Sequence, residues 1–108
     1  MNISQIILMP GQTLEVTGAA DIHVTAHYAD HSGAGQLTPG NQLTVLTGTD
    51  STTVCGAPAT GKQRIIKSLS ILNLSGGTIS DILVAIKSGS TVVKIDTFNL
   101  SNKANTSF

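Results

Sequence analysis

The chain has 108 residues, of which 40% are apolar, 11% are charged and 3% are aromatic, and six acidic residues balance six basic ones. This length limits the chain to one small domain, and the charged fraction is less than half of the roughly 25% usual in soluble domains. Without a basic excess, the chain lacks the electrostatic attraction that nucleic acids and anionic membranes exploit. We therefore expect neither a nucleic-acid partner nor a membrane partner.

The first twelve residues contain no Lys or Arg and only one short apolar run, Ile6 to Met9. A signal peptide begins with basic residues, and a membrane-spanning helix needs about 20 apolar residues. Residues 1–12 are therefore interpreted as an N-terminal arm or an edge strand. Cys55 is the only cysteine, which excludes an internal disulfide and fits synthesis in a reducing cytoplasm.

Alternation of apolar and polar residues predicts β-strands along most of the chain. The clearest case is 21–30, which has a period of two over eight residues. Its apolar set is Ile22, Val24, Ala26 and Tyr28, and its polar set is His23, Thr25 and His27. The segment 31–41 collects Ser, Gly and Pro, so it is predicted to be a loop. Further strands are predicted near 13–17, 43–47, 52–55, 63–74, 82–87 and 91–98.

The longest predicted strand, 63–74, has apolar residues at both odd and even positions. This indicates either a strand covered on both faces or a bulge that switches the buried face part way. Ser88-Gly89 is predicted to be the tip of a tight hairpin. Seven or eight short strands predict an all-β fold, a single antiparallel β-sandwich of jelly-roll-like or immunoglobulin-like type. We place this sandwich at 13–100 and a short polar C-terminal tail at 101–108.

One segment approaches a phosphate-binding motif. Residues 56–63, GAPATGKQ, nearly match G-x-x-x-x-G-K-[ST], but Gln63 replaces the hydroxyl that binds Mg²⁺. A strand is also predicted to follow, in place of the helix whose amides would bind phosphate. We therefore predict an ordinary loop and no nucleotide cofactor.

His23, His27 and His31 recur at intervals of four residues. On a strand this interval spans roughly 13 Å, whereas two ligands of one zinc ion each lie about 2 Å from it. We predict no metal site within one chain, and we assign these histidines to solvent or to an interface. Copies of one histidine that meet on a symmetry axis remain an alternative.

No pairing of residues suggests catalysis. The six carboxylates are scattered, and no G-x-S-x-G motif accompanies the many Ser and Thr residues. The chain is therefore predicted not to be an enzyme and to need no cofactor.

The charges are unequally distributed between the two halves of the sequence. Residues 1–61 contain four carboxylates and no Lys or Arg, whereas residues 62–108 contain six basic residues and two carboxylates. The formal charges are therefore −4 and +4. Either strands of both halves interleave and the charges mix, or oppositely charged surfaces of neighbouring copies face one another.

Two stretches resemble a pattern found in small virion proteins of tailed bacteriophages. The first is DIHVTAHYAD at 21–30, which is followed by a Gly-rich stretch and LTPG at 37–40. The second is TTVCGAPA at 52–59 followed by KQRIIKSLSILN at 62–73, similar to a V-x-x-x-P-A loop that leads into an R-x-V-x-x-L-x-I-x-N strand. The resemblance covers about 13–100.

The resemblance implies a structural role in the virion. We expect a capsid decoration or cement protein, made in the cytoplasm of the host bacterium, that binds the major capsid protein or other virion proteins. By analogy with the family, a homotrimer is favoured. Alternatives are a tail, connector or fibre-associated subunit, and a carbohydrate-binding sandwich module. The predicted assembly contacts are Ile6, Ile7, Leu8, Met9, His23 and His27.

Overall fold

The computed structural model describes residues 6–33 and 35–108 and contains strands without any helix in those ranges. No helix in this described part is therefore long and apolar enough to cross a membrane. The strands are β1 (Ile7–Leu8), β2 (Gln12–Thr17), β3 (Ile22–Ser32), β4 (Leu37–Val45), β5 (Thr52–Cys55), β6 (Lys62–Asn73), β7 (Ile79–Ser88), β8 (Thr91–Leu100) and β9 (Asn105–Ser107).

The strands form two antiparallel sheets. The five-stranded sheet has the order β1-β6-β3-β4, with β9 also pairing with β6, and the four-stranded sheet has the order β5-β2-β7-β8. The predicted all-β sandwich is therefore confirmed. Strands β2–β8 are the seven longer strands that the sequence pattern indicates, and the two-residue β1 and three-residue β9 are additional.

The core lies between the sheets, because each strand turns alternate apolar side chains inward. Burying this apolar surface is the main favourable contribution to folding. The buried apolar cluster consists of Leu8, Leu14, Val16, Ile22, Val24, Ala26, Leu46, Val54, Cys55, Ile66, Leu69, Ile71, Ile82, Val84 and Leu100.

A bulge explains the double apolar pattern of β6. The register against β3 shifts between His27 and Tyr28, where Lys67 is the extra residue of β6. Ile66 before the shift and Leu69 after it are both fully buried, although one position is even and the other is odd. The bulge alternative is therefore the correct one. A β-bulge adds one residue to one strand and moves its alternation to the other parity.

The predicted loop at 31–41 is largely wrong. Strand β3 continues to Ser32 and β4 already starts at Leu37, so turn-forming residues lie inside a strand. Proline is compatible with a strand that has one open side. Gly40 is required by packing, because it pairs with Tyr28 and a Cβ atom there would lie 2.7 Å from the tyrosine ring.

The predicted hairpin tip is confirmed. Ser88 pairs with Thr91, which leaves a two-residue loop whose first residue, Gly89, has a φ of 60°. A positive φ at this position is typical of the type II′ turns that match the twist of antiparallel strands.

Both ends of the described chain belong to the five-stranded sheet. Strand β1 pairs with β6 at Ile7 and Leu8, so the described part of 1–12 contains a short edge strand and ends at the first residue of β2. Residues 1–5 lie outside the described ranges. The segment 101–108, expected to be a polar tail, contributes β9, which pairs with β6. Phe108 then packs on Phe98, with ring centroids 5.6 Å apart. The tail interpretation failed because Phe108 is an apolar anchor at the end of a polar segment.

The two halves of the sequence occupy opposite flanks of the sandwich. In each sheet, two strands from 1–61 lie next to each other and are followed by strands from 62–108: β4 and β3 then β6, and β5 and β2 then β7 and β8. Gln42 of β4 joins the first flank by donating to the Thr53 carbonyl and accepting from the Gly56 amide. Both sheets contain strands of both halves. The halves lie on opposite flanks except for the two-residue, uncharged β1, which belongs to 1–61 and pairs with β6 on the side away from β3.

Candidate assembly surface

The strand register places one set of side chains on the outer face of the five-stranded sheet, the face turned away from the four-stranded sheet. Residues directly opposite each other in neighbouring strands point to the same face. Three rows follow from the pairing of β4, β3 and β6, and we call them the outer face: Val45, His23 and Leu72; Leu43, Thr25 and Ser70; Asn41, His27 and Ser68. None of these nine residues is Asp, Glu, Lys or Arg.

Apolar side chains on this outer face are unusually accessible. Leu43 is 73% exposed and Val45 is 47% exposed, while Leu37, further along the same side of β4, is 54% exposed. Single exposed apolar residues need no explanation, but several neighbouring ones without charges between them indicate a contact surface. The outer face therefore has the composition of a surface that binds another protein.

Strand β4 also has an open edge, since within residues 6–33 and 35–108 its one ladder partner is β3. The Leu46 amide donates to the Ile22 carbonyl, so even-numbered residues of β4 direct their backbone N–H and C=O groups toward β3. Because these directions alternate along a strand, odd-numbered residues of β4 direct theirs away from β3. Pro39, which has no N–H, occupies one of these outward positions. The remaining outward groups are available for pairing with another strand.

The structure places His23 and His27 where the alternation predicted. Both are exposed on the same side of β3, four residues apart along the strand and about 13 Å from each other. The described residues contain no group of three or more His, Cys, Asp or Glu side chains that would hold a metal ion.

The four predicted N-terminal contact residues do not share one environment. Ile7 is 46% exposed and Met9 is 42% exposed, whereas Leu8 is completely buried and Ile6 packs against the core. Leu8 is therefore a core residue of the folded chain and is not accessible to a partner. Because side chains alternate along β1, only Ile7 and Met9 are on the accessible side.

Between the sheets, at the end of the sandwich near Gly56, Arg64 forms a clamp that sequence analysis did not identify. Its Nε and Nη2 atoms donate to the two Asp30 carboxylate oxygens at 2.7 and 3.0 Å, and its Nη1 atom donates to the Gly56 carbonyl at 2.9 Å. The guanidinium carbon lies 3.9 Å from the centre of the Tyr28 ring. The clamp thus joins β3 and β6 to the loop after β5, using the planar fork that only arginine provides.

The clamp shifts the acid–base behaviour of its members. Hydrogen bonds from Arg64 hold the pKa of Asp30 below its ordinary value of 3.8, against an opposing effect of burial. The hydrogen bonds to Asp30 raise the pKa of Arg64. Burial raises the pKa of the nearby Cys55 thiol, so the proportion of reactive thiolate is low.

We expect Asp30 to make the fold acid-sensitive. Its pKa is lower in the folded than in the unfolded chain, so its stabilising contribution is present above the unfolded value and is lost as pH falls through the folded value. Urea unfolding of the wild type and of Asp30→Asn from pH 7 to pH 2 measures this. The stability difference between the two should shrink below about pH 4, and a constant difference would contradict the assignment.

A second polar feature lies on the outside of the four-stranded sheet. Glu15 is only 6% exposed, and its carboxylate accepts hydrogen bonds from the hydroxyls of Thr13, Thr53 and Ser51. It belongs to a cleft of about 270 Å³ that is also lined by Lys87, Gly11 and Gly89. Three neutral hydroxyls satisfy this carboxylate, and they tie the edge strand β5 to β2.

The near-match to a phosphate-binding loop leads into a strand, as predicted. Gly61 has a φ of 83°, and Lys62 begins β6. Among residues 6–33 and 35–108 no helix terminus therefore faces the loop, and the Gly56 carbonyl of the loop accepts a hydrogen bond from Arg64.

Comparison with known proteins identifies no relative: no family model, no curated protein and no solved structure matches this chain.

Proposed function

We propose that this chain is a non-enzymatic structural subunit of a tailed-bacteriophage virion that binds the major capsid protein and cements the shell. The observation that carries the proposal is the uncharged outer face, with Leu43 and Val45 exposed next to the open edge of β4. Burying such a surface against a second protein removes apolar area from water. An interface core of this kind is depleted in charge.

The resemblance to phage virion proteins supports the same role. The residues that carry the resemblance stabilise the fold. Arg64, Leu69, Ile71 and Asn73 match the R-x-V-x-x-L-x-I-x-N pattern, and Ile66 stands at its valine position. In the fold they are the clamp, three buried core residues and a buried hydrogen-bonding asparagine. The pattern therefore specifies a sandwich strand, and the outer face provides the binding surface on that scaffold.

We expect Leu43→Ser to weaken binding to capsid shells about tenfold without changing stability. The side chain is mostly exposed, so its loss costs little folding energy, but removing one buried apolar anchor from an interface costs about 1–2 kcal/mol. Binding is measured by co-sedimentation with shells of the phage that encodes the chain, prepared without this protein.

Val92→Ser is the matched control, because Val92 is 51% exposed on the four-stranded sheet and outside the outer face. It should bind like the wild type. Equal loss in both variants would reject the outer face as the contact. If the wild type binds purified tails or connectors and no shells, the decoration role is rejected and the tail alternative takes its place.

A further inference from the structure

We infer that copies of this chain bind one another flank to flank, with the acidic flank of one copy against the basic flank of the next. The acidic flank consists of β2–β5 and the connections between them, and the basic flank consists of β6–β9 and theirs. The inference builds on the structural role proposed above, and it adds a partner, a second copy of this chain, and the orientation of the contact.

Opposite charges are separated across the width of the molecule. Of the four carboxylates of the acidic flank, Glu15 lies on β2, Asp30 lies on β3, and Asp21 and Asp50 lie in the connections before β3 and before β5. No Lys or Arg lies among them. The basic flank carries six basic residues and two carboxylates. Counting the Asp30–Arg64 pair as neutral leaves −3 on one flank and +3 on the other.

Most of the charged side chains on the two flanks are accessible to solvent. On the acidic flank, Asp21 and Asp50 are exposed in the connections before β3 and before β5. On the basic flank, the lysines at 62, 67, 87, 94 and 103 are exposed. Within the described ranges the ion pair formed is Asp30–Arg64, so these lysines are available to a neighbouring molecule.

The edge strands of the four-stranded sheet lie on opposite flanks. Each flank ends in an edge strand of the four-stranded sheet, β5 on the acidic side and β8 on the basic side. Lys94 lies on β8 and is exposed. A two-fold contact through a single flank would place that flank against its own copy, which like-charge repulsion disfavours. Contact between unlike flanks is heterologous, so it continues into a closed ring or a filament of more than two copies.

The test is the assembly state measured by sedimentation velocity over a concentration series at low and high salt. We expect association beyond dimers at low salt that weakens as salt rises, because the screening length falls from about 10 Å at 0.1 M to about 3 Å at 1 M. A monomer under all conditions, an end point at dimers, or association that salt leaves unchanged would overturn the inference.

Charge-reversal variants test whether unlike flanks contact each other. Asp50→Lys and Lys94→Glu should each weaken association about tenfold, since each places like charges across the contact. An equimolar mixture of the two variants should regain association when the two alternate. The new lysine at position 50 of one variant then faces the new glutamate at position 94 of the other, and the unchanged Asp50 and Lys94 also face each other. No recovery in the mixture, with both variants folded by circular dichroism, would contradict the flank-to-flank contact.

Two neutral substitutions form a matched pair. Asp50→Asn removes a negative charge from the acidic flank, whereas Asp81→Asn removes one from the basic flank, and asparagine tolerates the positive φ of 57° at position 81. We expect weaker association in the first and stronger association in the second. Equal effects would reject the inference.

Binding to shells is assayed separately. If self-association fails these tests while the wild type still binds shells, the virion role remains and the flank contact is rejected. If neither occurs, the proposed function is rejected as well.

Discussion

Arg64→Met is expected to lower the free energy of unfolding by about 3 kcal/mol. Arg64 makes three hydrogen bonds, two to Asp30 and one to the Gly56 carbonyl, and stacks on Tyr28. The side chains of Arg64 and Asp30 are only 13% and 15% exposed, so removing the cation leaves a largely buried carboxylate without its counter-charge. Urea denaturation at pH 7 measures the loss.

The double variant Asp30→Asn/Arg64→Met separates the charge effect from packing. It should be about 1–2 kcal/mol more stable than Arg64→Met alone, because the uncompensated charge is gone. Lys67→Met, at an exposed position of the same strand, is the control and should stay within about 0.5 kcal/mol of the wild type. If Arg64→Met behaves like this control, the clamp contributes nothing to stability.

Asn73→Ala is expected to destabilise the fold by a similar amount, about 3 kcal/mol. The Asn73 side chain is fully buried. Its Nδ2 atom donates to the carbonyls of Leu100 and Gly77, each at 2.8 Å, and its Oδ1 atom accepts from the Ser75 amide at 2.9 Å. Alanine removes this partner from the buried Leu100 carbonyl and from the Ser75 amide, whereas the Gly77 carbonyl still accepts from the Ser75 hydroxyl. Thermal and urea unfolding measure the change.

Two further variants make the Asn73 prediction specific. Asn105→Ala removes an exposed hydrogen bond to Ser70 and should cost less than about 0.5 kcal/mol. Asn73→Asp keeps the shape but directs a negative charge at two carbonyl oxygens. It should therefore gain stability relative to the wild type as pH falls and the carboxyl group is protonated. A pH-independent difference would mean that the hydrogen bonds of Asn73 do not carry its effect.

Much of the fold follows from local patterns in the sequence. The alternation at 21–30 correctly separates the buried Ile22, Val24 and Ala26 from the exposed His23 and His27. The spacing in 63–74 indicates either a bulge or a strand covered on both faces, and Ser88-Gly89 indicates a tight turn. These features are predictable because a strand has a period of two and a tight turn needs residues that accept positive φ.

Other features depend on contacts between distant segments. The turn-forming residues at 37–40 belong to β4, because the Tyr28 ring lies over Gly40. Asp30, Glu15 and Asn73 look like ordinary polar residues in the sequence. Each becomes part of its network because the sheets bring a partner that is 27–38 residues away along the chain next to it.

For the proposed binding surfaces, too, some features follow from the sequence and others only from the tertiary structure. The sequence by itself determined that the chain forms a sandwich of antiparallel strands and that acidic and basic residues belong to different halves, because both depend only on residue order. Only the tertiary structure decided that these halves become opposite flanks and that Leu43 and Val45 stay exposed while Leu8 is buried. Strand order and burial depend on which faces pack together, and this packing is a property of the whole chain.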